Sequence, residues 1–294
     1  MIDILIPTVG QGLLWALLAL GVYLTFRILD VADLTVEGSF PLGAAVAASL
    51  LNAGCSIPVA ILVAIIAGMI SGVVTGILHT KMKIPALLAG ILTMIALYSV
   101  NLRVMGKANI SMLGIDTVFK YTRDLTGLNM SEVSLLVGFV FTVVVGVATY
   151  HFLGTEIGAC LRATGCNQQM IRAQGVNTDT MLIIGLAVSN GLVGLSGALV
   201  AQANGFADVG MGTGTIVIGL ASVIIGEVLF GNRSVKNSMI SVVLGSVVYR
   251  IVIAAVLAMG MPPNDLKLFT SVLVAIALSL PLIQNKMKSR KVVG

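Results

Sequence analysis

Gly154-Thr-Glu-Ile-Gly-Ala-Cys-Leu-Arg-Ala-Thr-Gly-Cys-Asn-Gln-Gln-Met-Ile-Arg-Ala-Gln-Gly-Val-Asn-Thr178 is one of the few long polar islands in a chain that is otherwise apolar. The blocks on either side are each long enough to cross a bilayer. Within the island, Cys160–Ala163 and Gln169–Ala173 read as short helices, separated by Gly165 and closed by Gly175. A compact helical loop between two membrane helices offers a docking surface to something in the water phase. The rest of the chain is read outward from that expectation.

The flanking apolarity extends over all 294 residues, 57% of them hydrophobic and 10% charged, with a mean hydropathy of +1.07. Soluble domains carry roughly 25% charged residues, so a soluble globule is excluded. The apolar runs are continuous rather than alternating, which favours helices over a barrel. The fold class expected is all-α: a polytopic transmembrane helical bundle of about eight to ten spans. The 33 glycines suit closely approaching helices. The net charge of +5 is assigned to membrane orientation and not to nucleic acid. Cys55, Cys160 and Cys166 follow no disulfide or zinc spacing. The first span starts with Asp3 instead of a basic segment, so it is expected to stay in the protein.

Nine apolar blocks follow one another: about 4–26, 31–51, 57–78, 84–104, 132–153, 181–203, 215–230, 237–259 and 266–283. The second opens with Asp30-Val-Ala-Asp33-Leu-Thr35-Val-Glu37-Gly-Ser39-Phe-Pro41, and Pro41 lacks an N–H, so a broken or kinked helix is expected there. The third carries Gly68, Gly72 and Gly76, a ladder of small residues on one face. Residues 105–131 form a mixed polar stretch with room for short interfacial helices, and Asn101 and Arg103 read as interfacial.

Alternating the loops puts Arg27, Lys81, Lys83, Arg162, Arg172, Arg233, Lys236 and the tail cations Lys286, Lys288, Arg290 and Lys291 on one side. Arg103, Lys107, Lys120, Arg123 and Lys267 fall on the other. The richer side is cytoplasmic by the positive-inside rule, which takes the island and the C-terminus with it. Nine full crossings place the N-terminus outside; a second block that does not cross places it inside.

No catalytic constellation and no metal-ligand spacing is present, and His79 and His151 sit at helix ends. The chain lacks a phosphate-binding loop, so it is not expected to bind ATP itself by that route, and no cofactor of its own is expected. Acids at membrane depth cost about 2.5–3.5 kcal/mol each on insertion scales and call for a reason. Asp33 and Glu37, four apart on one helical face, with Thr35, Ser39 and Asn190, either line a polar translocation pathway or serve the structure. In the structural reading the acids pair with Arg27 or Arg250, or cap half-helices. Both readings stand. Two sources of energy stay open as well: a partner ATPase gripping the island, or an ion gradient read by Asp33, Glu37 and Glu227.

At these residues the chain resembles the membrane permeases of ATP-binding cassette (ABC) importers of the branched-chain amino acid and ribose type. The island matches that family's cytoplasmic loop at Gly158, Leu161, Arg162, Ala163, Gly165 and Asn167, then at Ala173, Gly175, Val176 and Asn177. Asp33-Leu-Thr-Val-Glu-Gly-Ser39 is similar to the family's Asp-Leu-Ser-Val-Gly-Ser segment in the broken second helix, with Glu37 added before the glycine. Residues 191–202 and 219–231 resemble the family's later helices. The Thr-Val-Glu-Gly-Ser-Phe version is similar to the branch that serves aromatic amino acids. The resemblance implies one transmembrane permease domain over residues 1–294, in a prokaryotic cell membrane, working as a homodimer. It implies ATP bound by separate ATPase subunits, and substrate delivered by an extracytoplasmic binding protein. Glu156, Gly158, Leu161, Arg162, Ala163, Gly165, Asn167, Arg172 and Gly175 would then form the coupling helix.

Overall fold

The computed structural model describes residues 2–260 without interruption, then Pro262, Asp265, residues 268–272, 274–275 and 279. The ninth apolar block lies largely outside the described residues, and the basic tail lies wholly outside them. Eleven α-helices and two short strands are present among those described. They are α1 (Ile2–Tyr23), continued by a π-helical turn Leu24–Ile28, α2 (Val36–Asn52), α3 (Ile57–Thr80) and α4 (Ala86–Met105). Then come β1 (Asn109–Ser111), α5 (Val118–Thr126), α6 (Met130–Gly154), α7 (Glu156–Cys166), α8 (Gln168–Ala173) and α9 (Thr178–Asn204). β2 (Phe206–Asp208), a 3₁₀ turn Val209–Gly212, α10 (Thr215–Phe230) and α11 (Val235–Ala258) complete the order. Among the described residues, seven helical stretches are long and apolar enough to span a membrane, including Leu5–Ile28 and Thr178–Asn204. α2, with 17 residues, is shorter than these.

α1 and α9 form the centre. An apolar helix buried on all sides belongs inside a bundle, and α1 shows how it is held there. Four hydroxyls from three neighbouring helices donate to its carbonyls: Ser189 to Gly21 at 2.7 Å, Ser196 to Leu14 at 2.8 Å, Ser246 to Gly12 at 2.9 Å and Thr142 to Leu13 at 2.9 Å. Inside a membrane such bonds average about 0.6 kcal/mol each, and they fix rotation as well as distance.

The glycine ladder of α3 does what its spacing predicts, and its partner is α9. A Cβ on Gly68 would lie 2.3 Å from Asn190 O, and one on Gly72 would lie 2.2 Å from Leu186 O. Only hydrogen fits between these backbones. The two helices are therefore locked in register at the level of Asn190, midway along α9.

One end of the bundle gathers the α2–α3 turn, β1 and β2. The strands pair antiparallel with Ile110 opposite Ala207, and Leu51, Met105, Ile110 and Ala207 share an apolar cluster. The start of α1 lies here too, since Gln11 Nε2 meets Asn204 Oδ1 at 3.4 Å. At the opposite end Leu29, Leu161 and Leu182 share a cluster. That end carries Arg27, Lys81, Lys83, Arg162, Arg172, Arg233 and Lys236. The predicted segregation of basic residues thus appears as a property of the fold.

Four expectations need correcting. The helix break lies before Val36, not at Pro41, which sits inside α2. Residues 29–35 are the non-helical link, with Asp30 in the left-handed region at φ 55°. Consequently Asp33 and Glu37 do not share a helical face; Asp33 precedes the helix and Glu37 is in its first turn. Gly165 does not separate two helices, because α7 runs through it to Cys166. Asn101 is not interfacial but fully buried. The polar stretch 105–131 holds one short helix, as expected, and also a strand.

Candidate functional site: a buried polar chain, an acidic cleft and the island

Four helices, α2, α3, α4 and α9, converge on the link before α2. Asp33 closes that link on itself, its Oδ1 accepting the Thr35 N–H at 2.9 Å. Its Oδ2 accepts from Asn190 Nδ2 of α9 at 2.7 Å. Asn190 Oδ1 accepts in turn from the Ser39 hydroxyl. Thr35 Oγ1 shares a hydrogen bond with Thr75 Oγ1 of α3 at 2.7 Å, and Thr75 reaches Thr93 Oγ1 of α4 at 2.9 Å. All six side chains are buried. A polar group in an apolar interior costs little only when its partners are present, and here each group answers another. The structure therefore brings Asp33, Thr35, Ser39 and Asn190 together. Thr75 and Thr93 were missed; Ser71 and Thr75, four apart in the ladder helix, were the available signal.

Glu37 stands apart from that chain. It is half-buried, and its Oε1 accepts the Gly214 N–H at 3.0 Å, where α10 begins. A carboxylate at a helix N-terminus meets both an unpaired donor and the positive end of the dipole. Beside it lies a cleft of about 430 Å³ between α2, α4 and the 3₁₀ turn. Met94, Ile95, Tyr98 and Asn101 line it. Asn101 donates to Gly38 O at 3.3 Å, while its Oδ1 is buried without a described partner. The carbonyl of Glu37, which Pro41 leaves without a helical donor, packs against Gly212, where a Cβ would lie at 2.0 Å.

The remaining acid and cations take structural posts. Glu227, 11% exposed, forms a two-point pair with Arg27 at 2.9 and 2.8 Å, tying the end of α1 to α10. Arg250 lies over the Trp15 ring, 4.2 Å from its centroid, and Trp15 in turn meets Phe40 at 5.0 Å. The three acids Asp33, Glu37 and Glu227 thus have three different sets of partners.

The island is built by capping. Thr155 accepts the Gly158 N–H at 3.2 Å to start α7. Asn167 accepts from Met170 N at 3.0 Å to start α8. Gly175 turns the chain at φ 86°, and Asn177 caps α9 through Asp179 N at 3.1 Å. Three of the expected residues face inward. Leu161 is buried beside Leu29. Gly165 packs on the end of α1, where a Cβ would lie 1.9 Å from Ile28 O. Gly158 packs on the end of α6, 2.2 Å from Phe152 O by the same measure. Arg172 bonds Thr178 and, at 3.0 Å, Asp179, which locks α8 to α9. Glu156 and Asn167 are exposed, Ala163 is half-buried, and Arg162 lines a cleft with His151 and Lys236. The exposed face also carries Ile157 and Met170, 47% and 50% exposed. Both were missed, since the island is read from its polar, capping and motif residues, and neither of these is one.

Comparisons with known proteins agree with this architecture. Residues 4–278 match the model of the branched-chain amino acid transport system permease component family. The chain is 42% identical over 270 residues to the tyrosine transport system permease protein of Clostridioides difficile (strain R20291), covering 92% of this chain and 88% of that one. It is 36% identical over 281 residues to an uncharacterised protein of Rickettsia prowazekii (strain Madrid E), covering 94% and 97%. It is 27% identical over 232 residues to the autoinducer 2 import system permease protein LsrC of Salmonella typhi, covering 78% and 64%. No solved structure matches it. A multi-pass helical bundle, a capped island between two spans and a family match over nearly the whole length lead to one conclusion: the chain belongs to the branched-chain amino acid transport permease family.

Proposed function

We propose that this chain is the permease subunit of an ABC importer that moves an amino acid, with aromatic amino acids the favoured class, into the cell. The observation that carries the reading is the island. α7 and α8 are seated on the ends of α1, α6 and α9 through glycine contacts and an Arg172–Asp179 pair, yet they present Ile157 and Met170 outward. A short rigid helix pair with an apolar exposed face suits an ATPase groove, and its rigid seating passes motion to the central helices. The basic end is then cytoplasmic, and a solute-binding protein delivers substrate at the opposite end. The substrate class rests on the tyrosine permease relative and on the cleft at Glu37.

The translocation pathway, in this reading, runs past Glu37 and not through Asp33, Thr35, Ser39 and Asn190. Those four satisfy one another inside the protomer and hold the broken helix in place. Glu37 lies two residues from Ser39, near mid-depth, and lines an open cleft. A carboxylate there calls for water or a partner instead of lipid. A second copy packed across the cleft would supply such a partner, and a homodimer is the assembly this reading expects. Co-purification with the ATPase tests the reading: Ile157→Asp with Met170→Asp is expected to abolish it while membrane insertion stays intact. Undiminished co-purification would remove the island from the coupling role.

A further inference from the structure

We infer that the seam between α6 and α11 seats one anionic phospholipid. Both helices pack on α1 and leave a gap between themselves, floored by Leu20. The gap is a groove of about 310 Å³ walled by Val143, Val147, Ile240 and Leu244, which are between 39% and 51% exposed. At the basic end it opens into a second cleft of about 570 Å³, and the two share Tyr150 and Lys236. That cleft is lined by His151, Thr155, Arg162 and Ser234 but by no carboxylate. Among the described residues Arg162 Nε is buried without a hydrogen-bond partner, and neither Arg162 nor Lys236 forms an ion pair. Ser234 caps α11 there, accepting from Asn237 N at 3.2 Å, so the positive end of that helix points the same way.

A phosphodiester fits the cations and an acyl chain fits the groove. Tyr150, at the junction, takes the headgroup-level position that amphipathic rings favour. A free anion would leave the apolar groove unfilled. A second copy meeting this seam through its own two-fold equivalent would bring like charges together. The inference rests on the chain lying in a bilayer and does not depend on its substrate or ATPase.

Native mass spectrometry of the purified full chain tests it, with phosphatidylglycerol and phosphatidylcholine of identical acyl chains as probes. Preferential retention of one phosphatidylglycerol per chain is expected. Lys236→Gln should weaken it about fivefold, the worth of one cation beside an anionic headgroup. Gly146→Phe fills the groove at a position where a Cβ meets nothing within 4 Å, and should abolish retention with unfolding unchanged. Equal retention of the two lipids would overturn the inference. So would retention that survives Gly146→Phe or is displaced by millimolar inorganic phosphate, since either outcome describes an anion site alone. In a chain whose Cys55, Cys160 and Cys166 are replaced by Ser, disulfide formation between copies carrying Val147→Cys would overturn it by placing a second copy in the groove.

Discussion

Asn190 and Asp33, 157 positions apart in the chain, are joined by a 2.7 Å hydrogen bond in the middle of the bundle. The bond fixes the non-helical link before α2 to the centre of α9, and through Ser39 and Thr35 it reaches α3 and α4. Removing one partner of a buried pair costs the desolvation of the other, about 1–3 kcal/mol. Asn190→Leu is therefore expected to destabilise the folded protein by that amount, read as lost thermal unfolding temperature in detergent. Asp33→Asn with Asn190→Asp swaps the two groups and should recover part of the loss.

Gly72→Ala should be more harmful than its size suggests. The added methyl meets the Leu186 carbonyl, a backbone atom that cannot rotate away, and overpacking of this kind costs about 1–3 kcal/mol. Gly146→Ala, which meets open space, serves as the control and is expected to leave stability unchanged or slightly raised. Thermal unfolding of the two variants side by side makes the comparison.

How much of this was legible in advance depends on the signal each residue carries. The α3 ladder was legible because three glycines at a spacing of four admit few purposes. The island was legible through its polarity and caps, although Gly165 misled: its role is to let α7 approach Ile28, and that is a tertiary fact. Pro41 misled in the same way, since a missing N–H in the second turn of a helix is tolerable when Gly212 packs on the freed carbonyl. The β1–β2 pair was illegible, because three-residue strands 97 positions apart have no periodicity to read. Asn101 reads as interfacial and Thr93 as an ordinary helix residue until the fold sets them beside Gly38 and Thr75.

The Arg27–Glu227 pair offers a cleaner measure of an ion pair than most. Its geometry is two-point, but Arg27 is 49% exposed, so solvent screens it. A double-mutant cycle with Arg27→Ala and Glu227→Ala is expected to return a coupling of about 1 kcal/mol or less in unfolding free energy. The same value should fall as salt is raised.

Glu37→Gln keeps an oxygen for the Gly214 N–H and removes only the charge. Stability should hold within about 0.5 kcal/mol, as for a substitution that keeps its partner. Uptake should fall about tenfold or more, the worth of one hydrogen bond made by a charged group on the pathway. Unfolding and initial uptake rates measured on one preparation separate the two effects.

Reconstitution decides the central claim most directly. The chain is placed in proteoliposomes alone or with its ATPase and binding protein, and entry of a labelled aromatic amino acid is followed. Accumulation that requires all three proteins and stops without ATP is the expected result. Accumulation by the chain alone, driven by a proton or sodium gradient and indifferent to ATP, would contradict it.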